Sequence, residues 1–148
     1  MARSETRTKV IALLCDAAQE CGGKLNILGG GWSIHTGTPV TMGLAIKFEV
    51  PWDEANQKRD FSVRLLTEDG VSPTLQTPSG PQQKTVEAKG QFEVGRPAGL
   101  RPGTPLDRPL AMNFQAVPLR PGRYVWQIAI EDEVIEQLAF SVVERKAR

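Results

Sequence analysis

His35 is the one histidine of the chain, so any imidazole-based proton relay would have to run through it. No Gly-x-Ser-x-Gly elbow accompanies it to present a nucleophile on a sharp turn. His35 is therefore expected to do no chemistry, and the chain is read as a non-enzyme. Metal chemistry has as little support. Cys15 and Cys21 are the only cysteines, and a structural zinc site needs a second pair of ligands at set spacing. A first hairpin could bring the two sulfurs together as a disulfide, but two buried or half-buried free thiols in a reducing compartment are the expectation. The acidic clusters Asp53-Glu54, Glu68-Asp69 and Glu131-Asp132-Glu133 fall at expected strand ends, where some sandwich modules hold calcium. Their spacing fits no calcium loop, so they read as solvated turns. No metal and no cofactor are expected.

Binding residues form a second group. Gly29-Gly30-Gly31-Trp32 is the most unusual string, since three adjacent glycines allow conformations and close approaches that other residues forbid. It could cradle an anion; the structural reading, a sharp bend with the tryptophan capping the core, is preferred. Gly22-Gly23-Lys24 is no P-loop, because Ala18 holds the place of the upstream glycine and Leu25 the place of the Ser or Thr. Trp32 and Trp52 are the flat side chains on which a sugar ring could stack, whereas Trp126 shares a face with Tyr124 and Ile128 and belongs to the core. Arg96, Arg101 and Arg108 stand in a stretch rich in proline and glycine and could form a basic lip for an acidic partner.

All of these must be held by strands. Val40, Met42, Leu44, Ile46, Phe48 and Val50 occupy every second position, so one face of that segment is in the core. The same period recurs at Phe61, Val63 and Leu65, at Leu110, Met112, Phe114 and Ala116, at Tyr124, Trp126, Ile128 and Ile130, and at Val134, Leu138, Phe140 and Val142. Residues 9–16 are almost continuously apolar and predict a strand buried on both faces, central or covered. Gly22-Gly23 then turns into a partner strand at residues 24–28. Pro51 ends the segment at 40–50, and Asp53-Glu54-Ala55-Asn56 suits a short helical turn. A weaker strand is expected from Thr85 to Val94, with Gly90 marking a bulge. Residues 71–83 and 95–109 read as irregular loops.

Seven or eight strands joined by short turns, each with one apolar face, predict a single domain over residues 1–148: an all-β, antiparallel β-sandwich. Leu119-Arg120-Pro121-Gly122-Arg123-Tyr124 opens the penultimate strand and looks like the tyrosine corner of immunoglobulin-like sandwiches, whose hydroxyl bonds upstream backbone. Trp126 stands where an antibody domain would carry cysteine, so only the architecture transfers.

The totals agree with a folded domain. At 148 residues, 40% hydrophobic and 24% charged, the chain can bury an independent core. A formal net charge of +1 removes the electrostatic case for a nucleic-acid partner. Arg3, Arg7 and Lys9 ahead of the apolar run Val10-Ile11-Ala12-Leu13-Leu14-Cys15 imitate a signal peptide, but Asp16 cuts the run short and Leu14 spoils a lipoprotein-type cleavage site. No stretch approaches the ~20 apolar residues that span a bilayer. A cytoplasmic protein with no membrane partner is expected.

Ala12-Leu13-Leu14-Cys15-Asp16-Ala17-Ala18-Gln19, followed by Gly22-Gly23-Lys24-Leu25 and Leu28-Gly29-Gly30-Gly31-Trp32, resembles the opening of a family of small uncharacterised bacterial proteins. Pro121-Gly122-Arg123-Tyr124 and the closing hairpin also look like theirs. The resemblance implies a bacterial, cytoplasmic protein and brings no activity or site residue with it. The functional expectation is a non-enzymatic protein-binding or self-assembly module that uses sheet edges or end loops. The alternative is a small-ligand or carbohydrate-binding module with Trp32, Trp52 and the 95–109 loop as its site.

Overall fold

The computed structural model describes residues 6–146; Arg3, Ala147 and Arg148 of the charged termini lie outside them. Two sheets face each other. The first has the order β2-β1-β4-β9, built from β1 (Lys9–Cys21), β2 (Lys24–Gly30), β4 (Val40–Val50) and β9 (Leu106–Val117). The second runs β3-β11-β10-β5-β8, from β3 (Ile34–Thr36), β11 (Glu133–Val143), β10 (Gly122–Ile130), β5 (Arg59–Thr67) and β8 (Val86–Phe92). All pairings in them are antiparallel except β3 with β11. A small hairpin of β6 (Thr74–Thr77) and β7 (Gly80–Gln83) completes the set.

The core lies where alternation puts it. Val40, Met42, Leu44, Ile46 and Phe48 of β4 are fully buried, as are Val63 and Leu65 of β5 and Trp126, Ile128 and Ile130 of β10. Trp126 lies 4.7 Å from Phe114 between ring centroids, and its Nε1 donates to Met42 Sδ at 3.5 Å. The tyrosine corner is present: Tyr124 is buried, stacks on Phe140, and its hydroxyl donates to the Arg120 carbonyl at 2.6 Å. Burial pushes its phenol above the ordinary range. With facing sheets and this corner the molecule is an immunoglobulin-like sandwich. Tyr124→Phe leaves the Arg120 carbonyl without its donor and is expected to cost about 1 kcal/mol in urea-induced unfolding.

Several expectations change. The strands number eleven among the described residues rather than seven or eight. The stretch 71–83 is not a plain loop, because its polar residues pair as β6–β7, and Pro81 sits on a two-stranded ribbon whose outer edge does not need its missing N–H. The stretch 95–109 ends early, since β9 starts at Leu106 and takes in Arg108 and Pro109; β9 is an edge strand, where proline is tolerated. Gly90 makes no bulge, for the β5–β8 register runs unbroken from Arg59↔Phe92 to Leu65↔Val86. It lies opposite Phe61, and a Cβ there would meet the ring at 2.8 Å.

β1 is central, but not buried on both faces as expected: Ile11 is 56% exposed. It pairs with β4 through residues 9–15 and with β2 through residues 15–21, so its second half is free to leave the sheet plane. That half packs on the outer side of the first sheet, where Cys15, Ala18 and Ala45 form a small buried cluster with Leu13, Leu25 and Ala111 around it. Asn113 of β9 holds it there by accepting from Ala18 N–H at 3.0 Å and donating to Ala18 O at 2.8 Å, as a strand neighbour would. Gly43 is the position beneath. A Cβ there would stand 2.9 Å from both Asn113 Oδ1 and Cys15 Sγ.

Candidate interaction surface

Trp32 and Trp52 lie at opposite ends of the sandwich. Trp52 follows the last residue of β4 by two positions, in the 3₁₀ turn Trp52–Glu54. Trp32 packs against Phe140 and His35 at the end where β11 finishes. The eleven residues of β4 span roughly 33 Å at the rise of an extended chain, so no single site holds both rings, and the joint sugar site expected from the sequence is not assembled.

The basic lip is not assembled either. Arg96 is exposed but lies over Trp52: its guanidinium carbon is 4.8 Å from the ring centroid, and Nη2 donates to the Trp52 carbonyl at 2.8 Å. That cation–π contact covers one face of the ring. Arg108 is half-buried on β9 and donates to the Pro109 carbonyl. Arg101 is an exposed loop residue, with its carbonyl accepting from Thr104.

Next to Trp52 is Glu54, a buried carboxylate that sequence reasoning placed in a solvated turn. Thr6 Oγ1 donates to it at 2.7 Å, Arg7 N–H at 2.9 Å, and Arg59 Nη2 lies 3.4 Å away; Arg7 also pairs with Asp53. Glu54 thus ties the segment ahead of β1 to the end of β4. Its signal in the sequence was the apolar Ala55 beside it, which is buried with the core.

His35 is half-buried, and its Nδ1 donates to the Gly37 carbonyl at 3.0 Å, since a carbonyl can only accept. Cys15 and Cys21 are free and sit on one strand six residues apart. That is about 20 Å of extended chain, well beyond a disulfide's reach. Cys15 is buried and Cys21 exposed, against the expectation of two buried or half-buried thiols; burial, then the neighbouring Asp16 carboxylate, pushes the Cys15 thiol up. Among the described residues no three His, Cys, Asp or Glu side chains gather to hold a metal ion, and no helix is long and apolar enough to cross a membrane.

The glycine run sits at a corner. Gly29 and Gly31 take the left-handed region, at φ 57° and 90°. At Gly29 a Cβ would also collide with the Asp16 carboxylate, at 2.2 Å. Residues 31–33 then carry the chain from β2, the edge of the first sheet, to β3, the edge of the second. Three residues reach about 10 Å, the usual spacing of packed sheets, so both edges lie on one flank. Leu28 is 69% exposed, Ile34 65% and Ile27 43%. The sequence did hold a sign of this: adjacent residues of a strand point to opposite faces, so Ile27 and Leu28 could not both enter one core.

Residues 10–143 match the model of a family of unknown function, DUF6941. The chain belongs to that family. The DUF6941 match runs from the second residue of β1 to the last of β11, so it takes in both sheets and the exposed flank. No curated protein matches the sequence. Among solved structures this DUF6941 chain is similar to the alkylpurine DNA glycosylase AlkC of Pseudomonas fluorescens, bound to DNA containing an abasic-site analogue. Identity is 14% and the TM-score 0.48, over 93% of this chain but only 31% of the glycosylase chain. It is also similar to an immunoglobulin-like protein from Pseudomonas aeruginosa, at 14% identity and a TM-score of 0.46, over 96% of this chain and 99% of that one.

Proposed function

We propose that this chain is a non-enzymatic protein-binding module whose first partner is a second copy of itself, joined through the flank formed by β2 and β3. The observation that carries the proposal is three exposed aliphatic side chains, Ile27, Leu28 and Ile34, on two adjacent strands that each have a neighbour on one side only. An open ladder edge offers unpaired N–H and C=O groups to another strand. Natural edges are usually blunted by charge or proline, whereas β2 carries Lys24 alone and ends in two glycines. Antiparallel pairing of one β2 with another obeys a two-fold axis, so one patch serves both copies. With a formal net charge of +1, two copies do not repel each other at long range. The setting we propose is the bacterial cytoplasm.

Sedimentation over a concentration series tests this. The native chain should gain mass with concentration, and the double variant Leu28→Lys, Ile34→Lys should sediment as a monomer throughout, because each lysine would have to be desolvated in the joint. A native chain that stays monomeric at every concentration defeats self-assembly. A protein partner captured equally well by the native chain and the double variant defeats the flank as the binding surface.

A further inference from the structure

The end of the sandwich that carries His35 also has a cavity of about 530 Å³, bounded by His35, Thr36, Thr38, Pro39, Glu144 and Arg145 among others. Two cationic or potentially cationic groups converge there on one glycine. Nδ1 of His35 is committed to the Gly37 carbonyl. The guanidinium of Arg145 lies over the same residue, with Nε and Nη2 both 3.6 Å from the point where a Gly37 Cβ would stand. Gly37 has φ 85°, so the absent side chain and the left-handed turn together make room for the arginine. Among the described residues no hydrogen bond or ion pair takes up that guanidinium, although Arg145 is next to Glu144 in sequence.

We infer that this cavity is a binding site for a small oxyanion, a carboxylate or phosphoryl group. Arg145 supplies a planar fork of donors matched to such a group. Thr36 and Thr38, both exposed on the cavity wall, add hydroxyls. With Nδ1–H held on a carbonyl, His35 offers Nε2 as a donor only when the ring is protonated. A protonated ring thus adds Nε2–H as a further donor to the anion. The charged and titratable groups lining the cavity are His35, Arg145 and Glu144; Glu144 opposes the anion and so limits its affinity. The site shares β3 with the proposed β2–β3 contact, since His35 and Thr36 follow Ile34 on that strand, but it uses different side chains.

His35 is the only histidine, so its ring protons are single reporters in a proton NMR spectrum. Inorganic phosphate and acetate are titrated separately at constant ionic strength with chloride. Saturable movement of the His35 resonances with phosphate, acetate or both is the expected result, and the arm that saturates names the ligand class. Arg145→Gln, on an exposed side chain that leaves folding intact, should weaken the saturating arm by about tenfold or more, while Glu144→Gln should tighten it. If neither anion saturates, or if Arg145→Gln saturates as the native chain does, the site is overturned.

Discussion

Glu54→Ala is expected to lower the unfolding free energy by about 3 kcal/mol and to release the segment that leads into β1. The carboxylate is buried with only 10% of its side chain exposed, and Arg59, its cationic neighbour, is 16% exposed. Removing the anion leaves a guanidinium in a poorly solvated place, and that residual charge is the larger part of the cost. Thr6 Oγ1 and the Arg7 N–H lose their acceptor at the same time. Arg59 retains Gln57 Oε1 at 2.8 Å, which limits the damage. Two measurements are needed, because a global loss alone would not locate the effect. Urea unfolding should show the fall in stability. Hydrogen exchange should show lost protection at residues 6–12 beyond what the global change explains. A variant of near-native stability with unchanged exchange there would show that Glu54 is an ordinary surface acid.

Much of the fold was legible because alternation is a strong signal where one face is dry. β4 and β10 were readable to within a residue, and Tyr124 could be assigned its bond to upstream backbone from the run Leu119-Arg120-Pro121-Gly122-Arg123-Tyr124 alone. The signal fails where burial does not alternate. β6 and β7 pair through polar and glycine-proline residues with little core behind them, so no periodic pattern marks them. β3 is three residues long and exists because β11 offers its edge in parallel, a long-range fact. Pro109 misled for a related reason: proline excludes a central strand, and only the sheet order shows that β9 is an edge.

The candidate surface was harder to read than the core. Whether an arginine is a free lip or an internal clasp depends on which ring lies beneath it, and Arg96 meets Trp52 across 44 residues of sequence. Glu54 looked like one more acidic turn because its partners Thr6, Arg7 and Thr8 are 46 to 48 positions away. Gly43 is similar. It sat unremarked on the polar side of the clearest strand, yet it is where β1 and Asn113 pass close over β4.

Phe48→Ala should cost about 3–5 kcal/mol, the usual range for emptying a buried aromatic site, and should ease the penalty of a substitution at a second position. Phe48 stacks on Phe92 at 4.5 Å and 7°, and tilts against Phe61 at 5.8 Å. Phe61 in turn lies over Gly90, where any Cβ would press on its ring at 2.8 Å. In the native core Phe61 has Phe48 behind it and cannot retreat, so Gly90→Ala alone should cost about 1–3 kcal/mol through overpacking. In the Phe48→Ala background a cavity opens on that side. The Phe61 ring can then tilt into it, and the added methyl at position 90 is accommodated by the same movement that refills the void. The double variant should therefore be more stable than the sum of the two single changes predicts, by about 1 kcal/mol. Urea unfolding of the four proteins gives the coupling directly. Strict additivity would mean that Phe61 is held by the backbone of β5 rather than by Phe48, and that the three rings do not move as a unit.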